Sequence, residues 1–559
     1  MKYEKVIDLA KRRNIFWPAF EIYGGLSGFY DYGHVGAKIK ENILNQFRYL
    51  FVNIEGMAVI DSPNINMEEV LEASGHTKVF TDYISYCRVC GEAYRVDEYI
   101  KQFDPSYEFN GYDSMVKRMH ELGLKCRKCG GDLTEPEKFN LMLSTKVGPG
   151  KGKTAYLRPE TAQGIFINFL NYLRFYREKL PFGVIQIGKG FRNEIAPRQT
   201  LIRLREFNMA EVEVFFDPFD LKWNGNVDIW NDEILLLPND GNPLNIKLSE
   251  AMDKKIIKIQ PIAYFIGIVN RFMLNIGIEK NSIRFRQHHP DELAHYSRDC
   301  WDCEISTDNG WIEVVGIADR DQYDLKQHSE HSGTSLVFKK KLDTPVRIRK
   351  KRYRPKEERL KEYYKDEWKN VYEFLLNSEV MDIEPSYKGI PVCDGCYDIE
   401  EYEDLIYTED IIPAVIEPSF GIDRIILSVL EHSYYEREEK NYKVLKLNPH
   451  IAPYKVAIFP LMPKDNLDSV AHEIYRKSSL MGIDCYYDDS GSIGKRYARA
   501  DEIGVPWAIT VDYQTLKDNT VTLRNRDSTN QIRMNYDDAL KFIMESVEKW
   551  KREWLLNRS

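Results

Sequence analysis

Two stretches separated by a short polar loop constrain this chain more than any other feature. Residues 183–194 and 204–216 each read as a β-strand; in the second, Val212 and Val214 share one face while Glu211 and Glu213 share the other. The segment Ile195–Arg203 between them is of hairpin type, so the strands pair antiparallel. One strand ends in Phe191-Arg192-Asn193-Glu194, and its partner begins Arg203-Leu204-Arg205-Glu206-Phe207. Guanidinium groups therefore gather round one loop, where they can grip phosphate oxygens bidentately. The ring of Phe207 on the returning strand can cover an adenine face. A lone Arg–Glu pair on neighbouring strands is usually a surface ion pair, whereas arginines at both strand ends of one loop are far more specific.

Other nucleotide-binding devices fail. Gly152-Lys153-Thr154 looks like the end of a phosphate loop, but the first glycine of that motif would fall on Val147. No strand-linked GxGxxG dinucleotide fingerprint is found.

At 559 residues the chain exceeds what one core can organise, so two to four domains are expected. Its 43% hydrophobic and 13% aromatic content argues against disorder. Met1–Arg13 is charged rather than apolar, and the best apolar run, Pro261–Leu274, is broken by Asn270 and Arg271. A soluble, cytoplasmic protein with no membrane partner is the expectation. The formal charge of −9 speaks weakly against a nucleic-acid partner, because phosphate contacts are local. A basic cluster does occur: Arg347, Arg349, Lys350, Lys351, Arg352, Arg354 and Lys356.

Val35–Val52 reads as a helix, with Val35, Ile39, Ile43, Phe47 and Leu50 at helical spacing. Ala414–Ser419 reads as a strand running through Phe420-Gly421 into a helix, Ile422–His432. From Asn448 onward the pattern becomes that of a small α/β domain. Strands are expected at Lys455–Phe459, Asp484–Tyr487 and Trp507–Val511, and helices at Leu467–Met481 and Ala498–Ile503. A last helix over Asp538–Leu555 carries Leu540, Ile543, Val547, Trp550 and Trp554 as a packing stripe.

Eight of the nine cysteines form CxxC pairs, which in an intracellular chain favours zinc or redox chemistry over disulfides. Cys87/Cys90 and Cys126/Cys129 make two knuckles of a four-cysteine zinc site, though the 35 residues between them exceed the usual ribbon spacing. Four thiolates leave no open position, so this zinc is structural. Cys300 and Cys303 flank Trp301 and Asp302, with Cys300 read as packing, and Cys393/Cys396 is a weaker candidate for a second metal.

The strand pair resembles motif 2 of class II aminoacyl-tRNA synthetases, and Pro418-Ser419-Phe420-Gly421-Ile422-Asp423-Arg424 resembles motif 3. Several further stretches resemble dimeric, archaeal and eukaryotic glycyl-tRNA synthetases in particular. They are Gly24–Gly33, Ala73–His76, Leu157–Gly164, Arg205–Glu211, Ala294–Asp302, Trp311–Leu325, Glu417–Arg424 and Asp488–Gly504. The resemblance covers most of the chain. It implies an α+β multidomain fold, with an antiparallel catalytic sheet flanked by helices, insertions, and a C-terminal α/β anticodon-binding domain. The expected boundaries are a catalytic domain over 1–83, 136–325 and 411–440, a zinc-ribbon-like insertion at 84–135, a charged insertion at 326–410, and the anticodon-binding domain at 441–559.

The same resemblance implies residue roles. Arg192 would hold the α-phosphate of ATP and Arg424 the γ-phosphate, as the catalytic pair. Asn193, Glu194, Arg203, Leu204, Phe207, Glu313 and Val314 would complete the nucleotide site, with Glu194 reading the adenine amino group and Glu313 helping to hold Mg2+. Positioning and electrostatics suffice for such chemistry, so no catalytic triad is expected. Glycine offers an ammonium group and no side chain, so its pocket must be acidic and crowded. Glu160, Glu211, Glu417, Pro418 and Ser419 match the family positions for it. The implied partners are glycine, tRNA(Gly), with the basic cluster as an acceptor-stem contact, and a second copy of the chain through the Val35–Val52 helix. Two rival readings remain: a non-catalytic binding factor on the same scaffold, and a synthetase for threonine, proline or serine. The retained arginines and glutamates weigh against the first. The second would need a zinc or a hydroxyl-binding pocket, and the cysteine pairs lie outside the motifs.

Overall fold

The computed structural model describes residues 2–195, 197, 200–223, 225–378, 380, 384–438 and 442–556. It divides into two compact units, Val337–Ile412 and the remainder of the chain.

The larger unit is built on a nine-stranded sheet. In chain order its strands are β1 (Ala58–Ile60), β2 (Phe182–Phe191), β3 (Glu206–Phe216), β4 (Glu233–Leu237), β5 (Leu244–Lys247), β6 (Ile283–Gln287), β7 (Asp299–Thr307), β8 (Gly310–Asp321) and β9 (Ala414–Gly421). The spatial order is β5-β4-β6-β7-β8-β9-β3-β2-β1. Pairing is antiparallel except at β1–β2 and β4–β6. The expected hairpin is therefore β2–β3, with Phe191 opposite Glu206, and β9 lies along the other edge of β3 with Ser419 opposite Glu211.

Alternation along β3 decides what each face meets. Ala210, Val212, Val214 and Phe216 enter the main core with the helices α1 (His34–Arg48), α2 (Gln260–Asn275) and α3 (Ile422–Ser433). There Phe420 packs edge-on against Phe47, Phe51 and Phe272 at centroid distances of 5.0, 5.7 and 5.7 Å. On the opposite face, Phe215 packs against Phe169 and Phe182, at 5.1 and 5.0 Å. Each such ring contributes about 1.5–3 kcal/mol on burial. Glu211 and Glu213 lie on this second face and are buried, so this polar-patterned strand is covered on both sides. Helix α1 buries the expected stripe but passes into wider π-type turns over Tyr49–Ile54.

The C-terminal region forms a five-stranded sheet in which Val456–Pro460 lies between and parallel to Cys485–Tyr487 and Trp507–Val511. Its second helix spans Ile493–Glu502, beginning before the expected Ala498; a glycine at 494 weakens the helical pattern in that first turn. In the last helix Leu540 and Ile543 are buried as expected, but Trp550 is 43% exposed; the side chain of Trp554 lies outside the described residues. No helix of the described residues is long and apolar enough to cross a membrane.

The smaller unit is a long hairpin, Phe338–Pro355 against Tyr397–Ile411, with helices Glu357–Tyr364 and Trp368–Asn377. The helix over Tyr323–Ser332 belongs to the larger unit, so the inserted unit starts after it rather than at 326. All of the basic cluster except Lys356 lies on one strand of the hairpin, and the cluster faces an acidic partner strand. Lys350 pairs with Asp404 at 2.8 Å, Arg352 with Glu400 at 2.9 Å and Lys356 with Asp398 at 2.7 Å. Cys393 and Cys396, the weaker candidates for a second metal, form a disulfide beside this unit's core: the three-residue separation in a turn brings the two sulfurs together.

Candidate active site

The loop joining β2 to β3, together with the β9–α3 junction, walls a cavity of about 310 Å³. Arg192 leaves the end of β2 and lies between two rings, its guanidinium 5.2 Å from the centroid of Phe80 and 5.3 Å from that of Phe207, while its Nε donates to the Pro159 carbonyl at 3.2 Å. Gly190 faces Phe207 across the hairpin; a Cβ there would stand 2.6 Å from that ring, so only glycine leaves the ring its place. Arg424 occupies the first turn of α3. Its Nε donates to the Ile202 carbonyl at 3.0 Å and one terminal nitrogen to the Glu313 carbonyl at 2.9 Å, with the Glu313 carboxylate 3.3 Å away. Its neighbour Asp423 is buried and accepts from the backbone N–H of Asn208 at 2.6 Å, clamping β3 to α3. Glu194, Leu204 and Val314 line the same cavity.

Two members of the expected nucleotide set stand differently. Asn193 does not line the cavity; its backbone N–H bonds the Leu141 carbonyl at 2.6 Å. Arg203 does line it, but its fork is closed on Glu98, at 2.7 and 2.9 Å, with Glu194 3.6 Å away.

A second pocket of about 250 Å³ shares Arg192, Glu313 and Ser419 with the first. Glu160, Glu211 and Glu417 line it, as expected, but Pro418 does not, because strand alternation turns it to the opposite face of β9. Glu211 accepts from the Thr161 N–H at 2.6 Å, the Thr161 hydroxyl at 2.5 Å and the Ser419 hydroxyl at 3.0 Å. Beneath the pocket lies Arg320, fully buried. One terminal nitrogen donates to both oxygens of Glu417 at 3.0 and 2.9 Å, and its Nε and other terminal nitrogen donate to Asp324 at 2.8 and 2.9 Å. Glu160 accepts from Gln163 at 2.9 Å and lies 3.3 Å from His76.

Glu160, Glu211, Glu213, Glu417 and Asp324 thus surround Arg320, and negative charge is in excess. Burial pushes the Glu417 carboxyl up to about 8 against the opposing pull of Arg320. Burial and the Glu160 charge raise Glu211; burial and the Glu417 charge raise Glu213 strongly. Burial also resists ionisation of Glu160, yet His76 and Arg320 together hold its carboxyl below the usual range. Both oxygens of Glu213 are buried without a hydrogen-bond partner. A positive group entering this pocket would be favoured by every carboxylate around it. Gly316 on β8 also lines the pocket, and a Cβ there would meet only Asp302, at 3.8 Å, standing in the open space.

Sequence reasoning did not single out Arg320, His76, Gln163, Thr161 or Phe80. The first four lie inside stretches that carried the resemblance, Trp311–Leu325, Ala73–His76 and Leu157–Gly164, but nothing local marks an arginine in a strand as a buried hub.

The remaining expected cluster also assembles. The sulfurs of Cys87, Cys90, Cys126 and Cys129 all lie within 4.8 Å of one another, with Cys87–Cys129 at 3.4 Å and Cys90–Cys126 at 3.5 Å. The edge of a zinc–thiolate tetrahedron with bonds of about 2.3 Å is about 3.8 Å, so the four sulfurs fit such an ion. The Tyr94 hydroxyl, 3.3 Å from Cys126, draws that thiol down to about 6.

Residues 146–232 match the family model described as the tRNA synthetase class II core domain (G, H, P, S and T), and residues 455–546 match the anticodon binding domain. A prolyl-tRNA synthetase from Cryptosporidium parvum, solved with L-proline and AMP, shares the fold: TM-score 0.51 at 12% identity, over 99% of this chain and 76% of that one. The sheet, the arginine-walled cavity and these matches define a class II aminoacyl-tRNA synthetase. The glycine–tRNA ligase of Methanocaldococcus jannaschii is 46% identical over 98% of this chain and 99% of its own length, and that of Archaeoglobus fulgidus is 44% identical over 99% and 98%. The chain belongs to the glycine–tRNA ligase family.

Proposed function

We propose that this enzyme activates glycine with ATP and transfers the glycyl group to the 3′ end of tRNA(Gly). The observation that carries the reading is a buried, acid-rich pocket opening directly onto a cavity walled by Arg192 and Arg424. The ammonium group of glycine enters among Glu160, Glu211 and Glu417, which leaves its carboxylate toward Arg192. A carboxylate oxygen attacks the α-phosphorus of ATP, the α–β bridging P–O bond breaks, and pyrophosphate departs. Arg192 spreads the charge developing on the α-phosphate and Arg424 holds the γ-phosphate. A ribose hydroxyl of the terminal tRNA nucleotide then attacks the glycyl carbonyl and AMP leaves. Rejecting larger amino acids calls for a clash inside this pocket, and exclusion by clash discriminates better than a missing methyl, which gains about 1–3 kcal/mol.

Around this chemistry, Glu313 at the junction of the two cavities is the carboxylate that would help hold Mg2+ with the triphosphate. The four clustered cysteines would hold a structural Zn2+. The C-terminal domain would bind the anticodon, the smaller unit would contact the acceptor stem, and α1 would contribute to a homodimer in the cytoplasm. Charging of a tRNA(Gly) transcript with labelled glycine tests the reading: glycyl-tRNA should accumulate with ATP and not without it. A folded enzyme that charges no tRNA(Gly) would overturn it.

A further inference from the structure

Arg203 is a cavity arginine whose fork is already occupied, and what occupies it comes from the cysteine-bearing insertion. Glu98 stands on the short helix Val96–Lys101, between the two cysteine pairs in sequence. Its two oxygens accept from the two terminal nitrogens of Arg203 at 2.7 and 2.9 Å, a fork-to-fork geometry. One of those oxygens also lies 3.4 Å from Arg95, which begins the same segment and itself lines the nucleotide cavity. Arg95 is in turn held by Asp97 at 2.9 Å and Asp82 at 3.4 Å. The helix carrying Glu98 is fixed from behind. Val96, Tyr99 and Ile100 are buried in the insertion's own core with Cys87 and Cys126, and the Tyr99 hydroxyl donates to the Lys125 carbonyl at 2.6 Å, next to Cys126. The contact thus links the four-cysteine knuckle to the wall of the nucleotide cavity through a short chain of packed residues.

We infer that Glu98 is a positioning residue for ATP: it holds the Arg203 guanidinium at the cavity wall, making the cysteine-bearing insertion a working part of the nucleotide site. This rests on the reading of the cavity as the ATP site. An arginine side chain free in solvent loses about 1.5–2 kcal/mol of rotamer freedom when a ligand immobilises it. A fork already oriented by a carboxylate has met that cost before ATP arrives. At 1.4 kcal/mol per tenfold, removing the holder should weaken ATP by about tenfold. The opposite role, a carboxylate competing with phosphate for Arg203, makes the opposite forecast.

The test measures KM for ATP and for glycine in glycine-dependent pyrophosphate exchange for Glu98→Ala, Glu98→Gln, Arg203→Ala and the Glu98→Ala/Arg203→Ala double variant, with thermal melting of each. A positioning role raises KM for ATP about tenfold in Glu98→Ala and less in Glu98→Gln. It leaves KM for glycine within about twofold and adds nothing further once Arg203 is alanine. An unchanged or lowered KM for ATP in Glu98→Ala, beside a raised one in Arg203→Ala, overturns the inference and leaves the ATP site standing. Equal rises for both substrates with a lowered melting temperature also overturn it, because a merely structural role does that. If Arg203→Ala leaves KM for ATP unchanged, the cavity assignment fails at that residue and the inference falls with it.

Discussion

Replacing Glu417 by glutamine removes one negative charge from the acidic pocket while keeping its shape and an oxygen to accept from Arg320. In the structure Glu417 lines the pocket, is 5% exposed, and takes both of its hydrogen bonds from one nitrogen of Arg320, at 3.0 and 2.9 Å. A hydrogen bond between an ammonium and a carboxylate is worth about 1.5–3 kcal/mol, so KM for glycine should rise about 10- to 150-fold where Glu417 is ionised. With its carboxyl pushed up to about 8, Glu417 is largely protonated near pH 6.5 in the empty pocket, where glutamine mimics it well. The gap between variant and wild type should therefore widen as pH rises through 8. Wild-type KM for glycine should fall over the same range by up to tenfold per unit, because glycine binding expels a proton. The carboxylates titrate as a coupled set, so the slope belongs to the cluster, and Glu417→Gln should flatten it rather than abolish it. Glycine-dependent pyrophosphate exchange at pH 6.5 and 8.5, with saturating ATP, reads all of this. A gap of equal size at both pH values, or one that shrinks as pH rises, would refute the electrostatic reasoning; no gap at all would remove Glu417 from the glycine site.

Glu213 is buried with neither oxygen hydrogen-bonded and its carboxyl is raised strongly, so the folded chain keeps a proton that the unfolded chain loses above about 4.5. Its contribution to stability therefore declines with rising pH, by at most about 1.4 kcal/mol per unit, and urea midpoints should show Glu213→Gln gaining on wild type between pH 5 and 8; parallel curves would contradict this. Arg192→Ala should lower the exchange rate by about 10²–10³-fold with folding unchanged by circular dichroism, since one preorganised donor of this kind is worth about 3–4 kcal/mol; a loss below tenfold would contradict its role. Elemental analysis should find one zinc per chain, lost in Cys126→Ser, and a zinc content unaffected by that change would contradict the four-cysteine site.

Features carried by local periodicity were legible in the sequence. The hairpin β2–β3, the β9–α3 junction and helix α1 all follow from apolar spacing, and the arginines at the strand ends mark the cavity without help from tertiary structure. What escaped depends on pairing across long sequence separations. Arg320 meets Glu417 because β8 and β9 are neighbours, a pairing that a sequence separation of 97 conceals. Arg203 meets Glu98 across 105 positions, so its role looked simpler in the sequence than its geometry proves. The basic run at 347–356 suggested an open phosphate-binding face; its acidic counterpart strand is just as visible in the sequence at 398–404, but only the register of the hairpin shows that the two charges meet. Cys393/Cys396 could not be told from a metal knuckle by spacing alone, since both arrangements use CxxC.

Amino-acid-dependent ATP–pyrophosphate exchange, run without tRNA across all twenty amino acids, tests the central claim most directly, because it reads the arginine-walled cavity and the acidic pocket together. Exchange with glycine, and none above background with alanine or serine, is the result expected from a pocket that attracts an ammonium group and denies space to a side chain. Exchange driven by another amino acid, or by none in protein shown to be folded, would contradict it.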